Sequence, residues 1–161
     1  MRRMYIIAAL VFVIDQVSKY WVIHLLELPR RLGGQLEVFP PYLKLIMTWN
    51  KGINFGLLAG DKASTKWILI AIALMITAWV AWWMRREPRP LARISAGLLI
   101  GGALGNVVDR LAYGAVADFL NMSCCGFSNP YAYNVADIAI FAGAIGLILF
   151  TGEKRPRDAA K

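Results

Sequence analysis

KWILIAIALMITAWVAWWMRREPRPLARISAGLLIGGALGNVVDRLA, residues 66–112, holds two apolar runs joined by a short stretch rich in arginine and proline. Each run is about 19 residues long, enough at about 1.5 Å per residue to cross a hydrocarbon core of about 30 Å. The joint, RREPRPLAR (85–93), carries Arg85, Arg86, Arg89 and Arg93, with Pro88 and Pro90 as helix stops. The stretch therefore reads as a hairpin of two membrane-spanning helices closed by a basic turn. The whole chain agrees: of 161 residues, 58% are hydrophobic and 17% charged. A soluble domain has about 45–50% and about 25%, and one small water-facing globule cannot hide the excess. Disorder is excluded by the same numbers. The only cysteines, the adjacent Cys124 and Cys125, exclude a disulfide scaffold.

Two further runs are long enough to span, so the expected helices are 4–26, 66–84, 94–112 and 135–151, in one integral membrane domain covering 1–161. Backbone polar groups must be satisfied inside lipid, so all four should be α-helical. The external loops are then 27–65 and 113–134. The net charge of +8 reads as topology. Ten of the eighteen Lys and Arg residues lie on one side, at Arg2 and Arg3, in the 85–93 turn, and at Lys154, Arg155, Arg157 and Lys161. Six lie between Arg30 and Lys66, and the 113–133 stretch has none. Basic residues near helix ends mark the cytoplasmic side, which places both termini there and removes the need for nucleic acid as a partner. Trp67 at one end of the second span and Trp82 with Trp83 at the other suit the membrane–water interface. MRR before an apolar run looks like a signal peptide, but Asp15, Gln16 and Lys19 interrupt it and no small-x-small site follows, so it reads as a retained helix. In the first loop, YLKLIMTW (42–49) is rich in β-formers and NKGINFG (50–56) follows, which predicts a small sheet-like element at the outer surface.

Polar residues inside spans are costly and so are candidates for function. Counted from the cytoplasmic ends, Asp15 lies about 18 Å deep, Lys19 about 24 Å, Asn106 about 18 Å, Asp109 about 22 Å, Arg110 about 24 Å and Asp137 about 21 Å. Three helices thus bring polar groups to one outer-leaflet layer, and Asp118, in VADF shortly after the third span, can fold back onto it. Asp15 and Lys19 are i,i+4 neighbours, as are Asn106 and Arg110, while Asn134 and Asp137 are i,i+3. These pairs also suit a purely structural role in helix packing. Gly97, Gly101 and Gly105 recur every four residues and allow another helix to approach closely.

Asp118 and Asp137 have no basic residue near them in sequence. Two carboxylates brought together at a membrane edge cannot both ionise easily, so one retains a proton near neutral pH. One can then take a proton from water while the other hydrogen-bonds a substrate carbonyl, the pair titrating as a unit. The alternative is two independent helix caps or solvated acids. His24 is the only histidine, which disfavours zinc. Ser18 and Lys19 are adjacent on a helix and point about 100° apart, so they do not form a serine–lysine pair. A proton-coupled carrier using Asp15, Lys19, Asp109 and Arg110 is the second functional reading, and a glycine-striped membrane scaffold the third.

DQVSKYW (15–21), NKGINFG (50–56), GGALGNVVDR (101–110), VADF (116–119) and YNVAD (133–137) occur in the order found in bacterial lipoprotein signal peptidases. The chain resembles that family, signal peptidase II, over nearly its whole length. The resemblance implies an intramembrane aspartyl endopeptidase with four transmembrane helices in the bacterial inner membrane. Its catalytic residues fall on Asp118 and Asp137, and its supporting residues on Asp15, Lys19, Asn50, Gly52, Asn106, Asp109, Arg110 and Asn134. It implies a prolipoprotein substrate bearing diacylglycerol, cut just before the lipid-bearing cysteine at the outer leaflet. The 36–58 loop would cradle that substrate. It further implies no metal or organic cofactor, membrane lipids as surroundings, a monomer, and inhibition by globomycin-type cyclic peptides. Two departures stand out. Small residues are usual where Ile53 and Asn54 stand, and the 121–133 stretch has no counterpart in the pattern.

Overall fold

The computed structural model describes residues 1–52, 63–123, 126 and 129–152. Ile53, Asn54, Cys124, Cys125 and the basic tail beyond 152 lie outside the described residues. The described residues include four α-helices: α1 (Arg2–Tyr20), α2 (Ala63–Trp83), α3 (Pro90–Tyr113) and α4 (Val135–Thr151). Beyond Tyr20 the first helix continues as one wider turn, Trp21–Leu25, closed by Leu26 N–H to the Trp21 carbonyl at 2.9 Å. Three helical runs, Arg2–Arg30, Ser64–Trp83 and Pro90–Tyr113, have the length and composition to cross a bilayer. α4 is also apolar but has 17 residues, at the lower limit of about 17–25 for a span.

The proline reading needs one correction. α2 ends at Trp83, before both prolines, and Pro90 is the first residue of α3 rather than a stop. A proline at that position loses no hydrogen bond, because the first-turn N–H groups of a helix have no intrahelical acceptor. Arg93, expected in the turn, lies inside α3. The far end of α3 is closed by Gly114, at φ 78°, whose N–H reaches the Arg110 carbonyl at 3.1 Å. This left-handed conformation is cheap only for glycine, and it turns the chain into the next strand.

α3 is the central helix, packed chiefly on α4 and α1 and also on α2. Its glycines explain why. A Cβ on Gly97 would stand 2.6 Å from the Met4 carbonyl oxygen, and one on Gly101 2.4 Å from that of Ala8. On the α4 side, a Cβ on Gly102 would stand 2.5 Å from the Ala136 carbonyl oxygen, and one on Gly143 2.6 Å from that of Ser95. Lipid does not drive helices together as water does, so such backbone-to-backbone packing supplies the attraction. Met4, Val80, Met84, Ala96, Ile100 and Leu147 form the core toward the end that carries the 84–89 turn. The outward faces are apolar too, with Leu10, Val17, Met75 and Trp79 all exposed.

The sheet-like element is present and larger than expected. β1 (Gln35–Phe39) and β2 (Leu43–Asn50) are joined by β3 (Val116–Met122), in antiparallel order β1-β2-β3. The third strand comes from the stretch between α3 and α4, so the element is not confined to the stretch before α2. Thr48 pairs with Asp118 and Asn50 with Val116. Phe119 packs with Val22, Leu28 and Leu45 in a second buried cluster that seats the sheet on the end of the first helix. Successive strand residues face opposite sides. Burying Phe119 in that cluster therefore turns Asp118 toward the helices.

Candidate active site

Asp118 lies on β3, not in a folded-back loop, and is 1% exposed. Asp137 lies in the first turn of α4, whose N-cap is Asn134. Asn134 and Asp137 form a capping box. The Asn134 side-chain oxygen accepts from Asp137 N–H at 2.9 Å, and Asn134 N–H donates to Asp137 Oδ2 at 3.3 Å. That box satisfies two helix-end donors and holds the Asp137 carboxyl at the helix mouth. The same Asn134 side chain donates through Nδ2 to Asp118 Oδ1 at 2.6 Å and to Asn106 Oδ1 at 3.3 Å. Asp137 is thus a helix cap and a neighbour of Asp118 at once. The two readings left open by the sequence do not exclude each other.

Asn106 on α3 is the hub. Its Oδ1 accepts from Lys19 Nζ at 3.1 Å, and its Nδ2 donates to Asp137 Oδ1 at 3.0 Å. Lysine can only donate, so its contact dictates which end of the amide faces Asp137. Lys19, 2% exposed, also bridges Asp15 Oδ2 and Asp109 Oδ2, each at 2.8 Å. Backbone donors complete both acids: Ala136 N–H donates to Asp15 Oδ1 at 2.9 Å, and Ala117 N–H shares Asp109 Oδ2 with Lys19 at 3.1 Å. These last two bonds tie the ion cluster directly to the residues preceding Asp137 and Asp118. Gly105 makes room for it, since a Cβ there would stand 2.4 Å from Asp15 Oδ2.

From the sheet side, Asn50 Nδ2 donates to Asp118 Oδ2 at 3.0 Å, and Gly52 N–H donates to Asn50 Oδ1 at 3.1 Å. Arg110 extends across from α3, donating to the Gly52 carbonyl at 2.9 Å and to the Asn106 carbonyl at 3.3 Å. Burial first, and the Asp137 charge second, push the Asp118 carboxyl up to about 7, against the donations from Asn50 and Asn134. All ten residues singled out in the sequence therefore meet in one connected network. Gln16 was missed as a member. Its Nε2 reaches Asp15 Oδ2 at 3.1 Å, Asp109 Oδ1 at 3.2 Å and the Gly105 carbonyl at 3.3 Å. The available signal was an uncharged polar residue next to Asp15 within a span, which meets the same cost argument as a charge. His24 is exposed and lies against Tyr20, with ring centroids 4.8 Å apart. Among the described residues, no group of three or more His, Cys, Asp or Glu is placed to hold a metal.

Asp137, Asn106, Arg110 and Asn50 line the polar part of a cleft of ≈ 480 Å³. Its other walls are apolar, from Leu69, Ile72 and Ile76 of α2, Ala103 of α3, and Ile140 and Phe141 of α4. Fold and site together define a class: a small helical membrane protein with two buried acids linked through Asn134, set beside an apolar cleft.

Comparison with known proteins names the family. The family model described as "Signal peptidase (SPase) II" matches residues 7–152. The lipoprotein signal peptidase of Methylobacterium sp. (strain 4-46) is 40% identical over 154 residues, which is 95% of this chain and 91% of that one. That of Caulobacter vibrioides is 40% identical over 146 residues, 90% and 83% of the two chains. Two solved bacterial membrane enzymes share the fold. One has a TM-score of 0.79 at 24% identity, covering 98% of this chain and 96% of that one. The other has 0.76 at 26%, covering 92% of each. The chain belongs to the signal peptidase II family of aspartic peptidases. Family and apolar helices together make it a bacterial inner-membrane protein, and the carrier reading is left without support.

Proposed function

We propose that Asp118 and Asp137 are the catalytic pair with which this chain removes signal peptides from prolipoproteins. The observation that carries the reading is that Asn134 holds both carboxyls, at 2.6 Å to Asp118 and 3.3 Å to Asp137, and that Asp137 lines the polar part of the apolar cleft. Asp118, raised to about 7, carries the shared proton below neutrality. It donates to the scissile carbonyl oxygen while Asp137 takes a proton from the attacking water. The water oxygen bonds to the carbonyl carbon, giving a neutral gem-diol. Its collapse breaks the C–N bond, as Asp137 returns its proton to the leaving nitrogen and a hydroxyl proton goes back to Asp118. Asn50, Asn106 and Asn134 orient the carboxyls. Asp15, Lys19, Asp109 and Arg110, with Gly52, hold that frame.

The chain acts as one domain, 1–161, with four spans including the shorter α4, both termini cytoplasmic and the acid pair at the outer leaflet. The basic 85–93 turn at the opposite end of the bundle supports this orientation. The substrate is a prolipoprotein carrying diacylglycerol, cut just before the lipid-bearing cysteine, with its acyl chains in the outer leaflet. The apolar cleft suits the hydrophobic stretch of a signal peptide. A single copy suffices, because every member of the network comes from one chain, and a globomycin-type peptide should compete at the same place. The test is cleavage of a diacylglyceryl-modified preprolipoprotein by purified protein. Asp118→Asn and Asp137→Asn should each lower turnover by about 10²–10⁴-fold with the helical circular dichroism unchanged. Near-normal cutting by both variants removes the pair from the mechanism.

A further inference from the structure

We propose that the end of α2 remote from the acid pair is a binding site for the phosphodiester headgroup of an anionic phospholipid. Trp82, Trp83, Arg85 and Arg86 line a cleft of ≈ 470 Å³ there, enough for a glycerophosphate group. Its cations are not neutralised by any of the described residues. Among the described residues, neither the Arg85 nor the Arg86 side chain has a hydrogen-bond or ion-pair partner, and both are exposed.

The one acid in the turn is already committed. Glu87, 8% exposed, accepts from Arg89 N–H at 3.0 Å, Nε at 2.7 Å and Nη2 at 3.0 Å. Arg89 in turn donates to the Thr151 and Gly152 carbonyls at 3.1 and 2.9 Å, so it serves to dock the end of α4. Of the turn's cations, Arg85 and Arg86 are left facing outward with two indoles beside them. Trp83 stacks on Trp79 at 5.4 Å between ring centroids and packs on the helix core, which fixes one wall. Trp82 is 63% exposed and forms the other. The carbonyls at the end of α2 do not repel an anion strongly, because Arg85, Arg86 and Glu87 N–H groups already donate to Trp82, Trp83 and Met84.

Indoles favour the level where acyl chains meet headgroups, and guanidinium forks match phosphate oxygens in pairs. The cleft sits at the end of a helix long and apolar enough to cross the bilayer. Its occupant is therefore a lipid phosphate, not one dissolved in water. The proposal rests on α2 spanning the membrane and not on the identity of the catalytic pair.

The full chain, reconstituted in phosphatidylcholine nanodiscs with and without phosphatidylglycerol, supplies the test by native mass spectrometry of the lipid it retains. The wild type should keep phosphatidylglycerol selectively. Arg85→Gln/Arg86→Gln should lower that retention about 25-fold, about fivefold for each arginine. Arg2→Gln/Arg3→Gln, which removes equal charge elsewhere, should retain it. Arg85→Lys/Arg86→Lys, which keeps the charge and not the fork, should fall between. Equal retention of phosphatidylcholine, equal loss in both glutamine variants, or displacement of the lipid by millimolar glycerol phosphate would each overturn the proposal. Peptidase activity in detergent should not differ among these variants.

Discussion

Lys19→Met is the sharpest probe of how the ion cluster supports the acid pair. Lys19 is 2% exposed and touches both Asp15 and Asp109, each at 2.8 Å. Methionine fills nearly the same volume, so the change removes a charge and three hydrogen bonds without leaving a large cavity. Two carboxylates then share a buried site with only Gln16 and backbone donors. Breaking a buried ion pair by removing one partner costs about 3–5 kcal/mol. For a chain of this size that corresponds to a Tm lower by about 6–20 °C. The effect on chemistry is separate. Without Lys19 only the longer bond from Asn134 Nδ2, at 3.3 Å, keeps the Asn106 oxygen facing away from Asp137, and the amide turns its acceptor toward the carboxylate more easily. Turnover should fall by about 10²-fold, the usual cost of a reacting group displaced by about 1 Å. The assay is a detergent-solubilised thermal melt in parallel with peptide-bond cleavage of a lipid-modified substrate. Asp15→Asn/Lys19→Met supplies the control. Removing one of the two acids should recover at least half of the lost Tm, because the remaining carboxylate keeps its Ala117 and Gln16 donors. The reasoning fails if Lys19→Met melts within about 2 °C of the wild type, or if the double variant is as unstable as the sum of its parts.

Three further outcomes follow from the same geometry. Asp118 is raised to about 7, so its proton is present below that pH and lost above it. The kcat/KM profile should therefore decline as pH rises past about 7, and Asn50→Ala should move that decline to higher pH, because Asn50 donates to the carboxylate form. A decline that moves downward, or not at all, contradicts the Asn50 contact. Asn134→Ser keeps an N-cap oxygen and loses the amide bridge to Asp118. Its melt should stay within about 1 kcal/mol of the wild type while turnover drops at least about tenfold, whereas equal losses in both would reduce Asn134 to a cap. Gly101→Ala places a Cβ 2.4 Å from the Ala8 carbonyl oxygen. It should cost about 1–3 kcal/mol in a denaturing-detergent titration, and an unchanged midpoint would mean that α1 and α3 are not held in this contact.

Much of the site was legible because its short-range parts obey helix periodicity. Asp15 and Lys19 fall one turn apart and do pair, and Asn134 with Asp137 form the box that i,i+3 spacing allows. Gly97 and Gly101 face α1 as a four-residue repeat predicts. The prolines were less legible. Pro88 and Pro90 read alike in sequence, yet Pro90 begins a helix, because whether a proline stops or starts one depends on which neighbouring backbone turns toward it.

The helices, the polar layer they share and most of the residues that fill it are legible along the chain. Each of these follows from length, hydropathy or spacing within one segment. Packing in three dimensions places Asp118 on a strand paired with 43–50, brings Gln16 into the ion cluster, and lets Asn106 connect Lys19 to Asp137. Those contacts join residues 31 to 93 positions apart. No local periodicity encodes them, because strand register and amide orientation are selected by whichever donors and acceptors the packed helices bring within hydrogen-bond reach.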